Sequence, residues 1–527
     1  MSRSLPQSLF GLDLGDHRIG RSLTIRGMGL IYFVAIVSCW SQATLLVGED
    51  GLVPAGRLLD WLAQRSSETG ESPFAALPTI FWLTGTSDFA FHAVCGIGTI
   101  LALLVVFGRL AGPSLVALWF LYLSLVNTGG VFMSFQWDIL LLEAGFLAVF
   151  LCDWKLKTPW RNPPALSVVN RIALVWSWFL VAKLMFFSGW VKLAWAGDAS
   201  PEWWPERTAL AYHYMTQPLP TWTSWYMHHL PAWFHAASLW PMYFIELVLP
   251  FAVVFGRFGR LAAAAGFSVL MLLILLTGNY TYFNWLTIVL CLPLVHDRFW
   301  PRGFRRKLGF VPLDIADPPR RKPLAIKLAP VGPVFVAVFL LNAGVVLDDL
   351  HNAPNPVLSK DRTPEWLDAF RRKAAPFHLV SGYGLFRTMT TKRPEIILEG
   401  SRDGASWFAY DFAWKVDELS DRPKFVAPHQ PRVAWQFWFA ALEERFHPRS
   451  RNAGWIEAIV LKLLEGDNRI ERLLDHNPFP DSPPDFVRAR LFHYEFTTPA
   501  ERARTGDWWK RVAAGAYLPP VSRAILD

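Results

Sequence analysis

The sequence predicts an α-helical polytopic membrane protein with about nine transmembrane helices, followed by a soluble α+β, β-sandwich-like domain. Three observations carry this reading. Apolar runs of spanning length recur between residues 27 and 347, the chain is 53% hydrophobic with only 18% charged residues, and beyond residue 348 the runs stop while charge density rises. About 20 apolar residues in an α-helix cross the roughly 30 Å of bilayer hydrocarbon, and a helix satisfies its own backbone hydrogen bonds there.

In order, the candidate spans are residues 27–47, 88–107, 114–128, 138–152, 171–190, 237–255, 260–277, 281–296 and 327–347. The apolar run at 75–84 is short and bounded by Pro73 and Pro78, so it reads as an interfacial or re-entrant piece. Residues 1–26 are polar and lack a compact apolar core, which makes them a cytoplasmic N-terminal segment with no cleavable signal peptide. Basic residues accumulate on the cytoplasmic side of a membrane. With the N-terminus inside, that side holds Arg3, Arg18, Arg21 and Arg26, then Arg109, then Lys155, Lys157, Arg161 and Arg171, then Arg257 and Arg260, and last the basic run at 298–327. The opposite loops before the final span hold only Arg57, Arg65, Lys192 and Arg207. An odd number of spans then sends residues 348–527 to the non-cytoplasmic side, together with the loop at 191–236. The formal charge of +8 is largely orientation signal, and no nucleic-acid partner is expected.

The exported region is long enough to build its own core. Residues 395–404 read as a strand entering a turn and 407–416 as the strand after it, a hairpin. Residues 435–446 and 455–464 have helical periodicity, and 469–475 continue as a short helix before the break at Asn477-Pro478-Phe479-Pro480. Strands first and helices after is the order of an α+β or sandwich-like module. The cysteines, Cys39, Cys95, Cys152 and Cys291, all lie within or beside spans and form no Cys-x-x-Cys pair, which argues against a disulfide scaffold or dithiol exchange.

Ionisable residues inside spans are the first candidates for function, because a charge at the bilayer centre costs at least about 2.5–3.5 kcal/mol and must face protein or water. Asp138 and Glu143 sit five apart, about 140° around a helix, so they do not share one narrow face. Lys183 and Glu246 are also mid-span, and Lys183 is expected to pair with Glu143 or Glu246. The cluster Asp138, Glu143, Lys183 and Glu246 either lines a cavity or sets helix packing through its pairs. Asp88 and His92 line the same cavity or serve as interfacial structure. Buried charges also mark ion paths, but no inverted pair of interrupted helices points to transport.

The exported loop carries His213, His228, His229 and His235 among Tyr212, Tyr214, Trp222, Trp225, Tyr226, Trp233 and Trp240. No standard zinc spacing is present, so no metal is expected. Rings with polar edges suit a membrane interface, and a client or substrate groove with a histidine acid or base is the sharper alternative. Tyr212, His213, Tyr214, His228, His229, Trp407 and Trp435 are the candidates for client binding, with core packing as the alternative for each tryptophan.

The chain resembles the lipase maturation factor family over most of its length. The carrying segments are Gln136-Trp137-Asp138 through Glu143-Ala144-Gly145-Phe146-Leu147, Tyr212-His213-Tyr214-Met215-Thr216-Gln217-Pro218-Leu219-Pro220 and His228-His229-Leu230-Pro231. They continue with Phe244-Ile245-Glu246-Leu247, Gly278-Asn279-Tyr280-Thr281-Tyr282-Phe283-Asn284-Trp285, Tyr383-Gly384-Leu385-Phe386-Arg387 and Gly515-Ala516-Tyr517-Leu518-Pro519-Pro520. The resemblance implies a multi-pass protein whose animal relatives reside in the endoplasmic reticulum and help secreted homodimeric lipases mature, with the soluble domain facing the lumen and contacting the client. No cofactor is expected. The lumenal cysteine set of some relatives is absent here, and the one usable sequon, Asn279-Tyr280-Thr281, lies close to spans. Few sequons and heavy arginine use point toward a bacterial inner membrane over an endoplasmic reticulum membrane. The element Phe187-Ser188-Gly189-Trp190-Val191-Lys192-Leu193 is also similar to the vitamin K-dependent carboxylase superfamily, where a lysine base acts at the membrane interface. That second resemblance implies an enzyme in which Lys192, with His213 and Glu143 as further catalytic candidates, works in one cavity, whereas the plain alternative is a Lys192 that snorkels to the interface.

Overall fold

The computed structural model describes residues 8–9, 12–13, 17–310, 331–351 and 364–526. In chain order the bundle contains α1 (Arg18–Trp40), α2 (Asp88–Val106), α3 (Ala111–Thr128), α4 (Gln136–Leu151), α5 (Val168–Ala194), α6 (Ala209–Thr216), α7 (Trp222–His228), α8 (Ala232–Tyr243), α9 (Gly256–Thr277), α10 (Phe283–Cys291) and α11 (Gly332–His351). Among the described residues six helices, α1, α2, α3, α5, α9 and α11, are long and apolar enough to cross a membrane. The other three predicted spans take shorter or interrupted forms. α4 has 16 residues, α10 ends in a single 3-10 turn at Leu292–Leu294, and α8 passes through a π turn, Phe244–Val248, into a last turn, Leu249–Ala252. Pro241 and Pro250 explain this interruption, because proline has no amide hydrogen and crowds the carbonyl one turn back. The expected short piece at 75–84 forms two single turns, Pro73–Ala76 and Phe81–Thr84.

α1 begins at Arg18, nine residues ahead of the expected start, because its arginines find partners inside the fold. Arg21 pairs with Asp153 at 3.0 Å, Arg26 donates to the Thr158 carbonyl at 3.1 Å, and the Asp297 carboxylate accepts the Arg18 and Ile19 amides. These contacts gather the start of α1, the connection after α4 and the segment after α10 at one end of the bundle. The opposite end of α1 meets the C-terminal region: Ser38 Oγ lies 2.9 Å from His429 Nδ1, and Gln42 donates to the Gln430 carbonyl at 2.8 Å. The basic residues at 320–327 lie outside the described residues.

The C-terminal region contains β1 (Arg393–Ser401), β2 (Phe408–Ala409), β3 (Asp411–Phe412), α12 (Arg432–Ala441), α13 (Ala453–Glu465), α14 (Asn468–Glu471), β4 (Leu474–His476), β5 (Phe486–Phe496) and β6 (Trp509–Ser522). One antiparallel sheet has the order β2-β1-β5-β6, and β3 pairs with β4 in a separate two-stranded sheet. The expected hairpin exists only at its tip, where Glu399 faces Ala409 and Gly400 faces Phe408; the chain then leaves the sheet. The short helix expected at 469–475 stops at Glu471, and its end becomes β4. The two longest strands come last, so the order is not strands first. Helices α12 and α13 cover the sheet: Ile396, Leu398, Val433, Phe437, Trp455 and Leu491 share one core, which makes the region α+β and corrects the sandwich-like part of the reading. That same core runs on into the bundle through Tyr32 and Leu140.

An acidic patch lies beside β3. Burial, and then the charges of Asp417, Asp421, Asp475 and Glu418, push Asp411 up from 3.8 to about 7. Because the folded chain holds this proton more tightly than the unfolded chain, the contribution of Asp411 to stability falls as pH rises from about 4 to about 7. Asp411→Asn is expected to flatten that slope, which denaturant unfolding at about pH 5 and about pH 8 will measure.

Candidate functional site

Two buried polar latches join the C-terminal region to the bundle. At the start of α4 the Asp138 carboxylate accepts both arms of the Arg432 guanidinium at 3.0 Å, and neither side chain is exposed. The Tyr122 and Tyr282 hydroxyls, 2.6 Å apart, also donate to Asp138 Oδ1. Trp137 Nε1 bonds Gln430 Oε1 at 2.8 Å, one residue before the ion pair on α4. Five residues further along α4, Glu143 accepts from Lys183 at 2.7 Å, from the Ser381 amide at 3.0 Å and from the Tyr383 hydroxyl at 2.6 Å. Lys183 also donates to Asn342 of α11 at 2.8 Å. Each carboxylate therefore meets a cation and two or more neutral donors, the condition under which a buried ion pair is tolerated.

The irregular end of α8 builds a third pair. The π turn carries Glu246 against α5, where a Cβ on Gly189 would lie 2.8 Å from the Glu246 Cβ, so this close approach needs glycine. Lys192 donates to both oxygens of Glu246, at 2.9 and 2.7 Å, and to the Ser188 carbonyl at 2.8 Å. Three acceptors thus engage the three ammonium protons. The pair stands at the wall of a largely apolar cavity of about 620 Å³ between α5, α6, α7, the end of α8 and α9. His213 lines the same cavity, its ring 4.7 Å from Phe386, and burial followed by the nearby Lys192 charge pushes it down to about 4, so it is neutral near pH 7.

The loop at 191–236 and the C-terminal sheet share a second core of Met215, Trp225, Ile397, Tyr494, Phe496 and Trp509. Buried Arg393 pins the loop by donating to the carbonyls of Met215, Gln217 and Pro218 while pairing with Glu395 at 2.6 Å. Asn279 performs a similar task. It donates to the Leu219 and Lys424 carbonyls and accepts from the Val426 and Ala427 amides at 2.7 and 3.0 Å. Asn279→Ala leaves buried groups without partners and is expected to cost about 1–3 kcal/mol, measured by thermal unfolding. The same burial predicts that the folded chain accepts no glycan at this sequon.

The description "Lipase maturation factor transmembrane domain" matches residues 19–302, and "Lipase maturation factor C-terminal domain" matches residues 379–519. Lipase maturation factor 1 of Homo sapiens is 32% identical, aligned over 97% of this chain and 89% of its own length. The chain belongs to the lipase maturation factor family. Lipase maturation factor 2 of Rattus norvegicus is 31% identical over 97% of the chain and 84% of its own length, and lipase maturation factor 1 of Mus musculus is 30% identical over 99% and 90%. No solved structure matches.

In this lipase maturation factor family member the four ionisable candidates from the predicted spans form three separate pairs instead of one cluster. Lys183 meets Glu143, Glu246 meets Lys192, and Asp138 meets Arg432. Of the three catalytic candidates, Lys192 and His213 share the cavity, whereas Glu143 is held in the latch. Lys192 neither snorkels nor stands free. Asp88 Oδ1 accepts the Glu49 amide at 3.1 Å and His92 accepts from Trp40 at 2.7 Å, both away from the cavity.

Among the client-binding candidates, Tyr212 is half-buried and Tyr214 lines the cavity. His228, pushed down to about 4 by burial and the adjacent His229, packs on Phe496, while His229 bonds the Trp225 carbonyl at 2.6 Å. Trp407 lies half-buried under Arg488 at 4.0 Å. Trp435 is buried against Trp137 and Tyr280 and so is core, not an exposed client surface. All four cysteines are buried thiols. Arg432, Tyr122, Tyr282, Asn342 and Tyr383 were missed as partners. The charge of Arg432 beside the apolar run Val433-Ala434-Trp435 was the readable signal.

Proposed function

We propose that this chain is a membrane-anchored maturation factor for secreted proteins, lipase-type hydrolases first among them, and that its C-terminal region holds the client on the non-cytoplasmic side. The observation that supports it most is the similarity to lipase maturation factors 1 and 2 through both the bundle and the C-terminal region. The loop-charge asymmetry supports the non-cytoplasmic placement. The two latches and the shared aromatic core support a working unit in which the bundle orients the client-holding region, because the sheet is tied to the spans by buried charges and not by a free tether.

Quantitative proteomics of exported proteins tests this reading in a host lacking the chain, compared with hosts carrying wild type or Lys192→Met. Selective loss of one or a few hydrolases, restored by wild type and in proportion to its folded amount by Lys192→Met, is the expected result. An unchanged exported proteome with an altered lipid, quinone or modified-protein species, restored only by wild type, overturns it in favour of an enzyme.

A further inference from the structure

The cavity beside Lys192 has a mouth, a lining and a rim, and their chemistry specifies an occupant. Its volume of about 620 Å³ falls in the range in which proteins enclose small molecules. Its lining is overwhelmingly hydrocarbon, and the charges it includes, Lys192 and Glu246, neutralise each other through a two-oxygen contact. Such a lining suits an uncharged chain and gives an isolated ion nothing to pair with.

The mouth lies between α7 and the last turns of α9. Leu273, Leu276 and Tyr226 all line the cavity, yet are 55%, 54% and 50% exposed. α9 is one of the helices long and apolar enough to span, so this opening faces bilayer hydrocarbon close to the headgroup level. The rim is cationic. The Arg422 guanidinium sits 5.0 Å over the Trp222 ring, and Arg502 reaches the Tyr226 hydroxyl at 3.4 Å. Both rings belong to the cavity wall. An apolar hole opening sideways into lipid, with aromatic rings and arginines at interfacial depth, is complementary to an amphiphile with a hydrocarbon tail and an anionic head.

We propose that one acyl chain of an anionic glycerophospholipid from the surrounding bilayer occupies this cavity, with its phosphate at Arg422 and Arg502.

The test reconstitutes the full chain in phosphatidylcholine nanodiscs with a trace of phosphatidylglycerol carrying a diazirine in its acyl chain. Photolabelling is then mapped by mass spectrometry. Label is expected on the lining residues Leu270, Met271 and Ile274 of α9 and Leu184, Met185 and Ser188 of α5, competed away by excess unlabelled phosphatidylglycerol. Ser238→Trp, which fills the cavity, is expected to cut this labelling by about tenfold, whereas Leu272→Trp, on the lipid-facing side of α9 outside the lining, leaves it unchanged. Arg422→Gln with Arg502→Gln is expected to reduce the preference for phosphatidylglycerol over phosphatidylcholine by about tenfold. Label that excess lipid does not displace, or label confined to the outer surface, overturns the proposal without recourse to any variant. So does full labelling of a Ser238→Trp protein that melts like wild type, or extraction of a prenyl quinone instead of a phospholipid from the purified chain.

Discussion

Arg432→Ala is expected to lower the unfolding free energy by about 3–5 kcal/mol and to loosen the C-terminal region from the bundle. Arg432 is the sole cation within hydrogen-bond distance of Asp138 among the described residues, and both groups are fully buried. Removing it leaves a carboxylate with only the Tyr122 and Tyr282 hydroxyls for company, which do not replace a bidentate guanidinium. The Phe132 carbonyl loses its donor as well. Denaturant unfolding in detergent, with limited proteolysis of the folded protein, reads both effects. The double variant Asp138→Leu with Arg432→Met removes both charges, so it is expected to be more stable than either single change. Equal losses in all three variants would mean that packing around α12, and not the charge pair, holds the two parts together.

The second large effect is expected at Lys183→Met, again about 3–5 kcal/mol, because the buried Glu143 carboxylate loses its cation. A comparison separates this from a catalytic role. Tyr383→Phe removes one hydrogen bond to the same carboxylate and is expected to cost about 1.5–3 kcal/mol, while Glu143→Gln strands the Lys183 ammonium and is expected to cost as much as Lys183→Met. If Glu143 acted in chemistry, Glu143→Gln would abolish function at unchanged stability and Tyr383→Phe would be mild in both. The latch instead predicts function falling in step with the folded fraction. Melting curves and the exported-hydrolase readout on the same preparations decide between them.

Much of the bundle was legible because spanning helices write themselves into the sequence as uninterrupted hydrocarbon. α2, α3, α5 and α9 fall close to the expected residues. The exceptions have local causes. Arginines at the start of α1 looked like flanking charge but are solvated by Asp153, Asp297 and backbone carbonyls inside the fold, which extends the helix over them. Prolines 241 and 250 turned one span into three short pieces. In the C-terminal region β5 was missed although Val487, Ala489 and Leu491 alternate with Arg488 and Arg490, a clear period of two. β6 carried almost no strand signal: Ala513, Ala514, Gly515, Ala516, Pro519 and Pro520 contribute little β-propensity, and pairing with β5 imposes the conformation.

The sequence by itself determined that this is a multi-pass membrane protein of the lipase maturation factor family, with buried charges at Asp138, Glu143, Lys183 and Glu246 that demand partners. Both conclusions rest on properties a residue carries wherever it sits: hydrocarbon length, and the cost of an uncompensated charge. The identity of the partners was decided only by the tertiary structure. Arg432 lies 294 residues from Asp138 and Tyr383 lies 240 from Glu143, separations over which no periodicity links two positions. The cavity beside Lys192 has the same origin, since it exists only where a π turn, a glycine and the loop between them converge on one space.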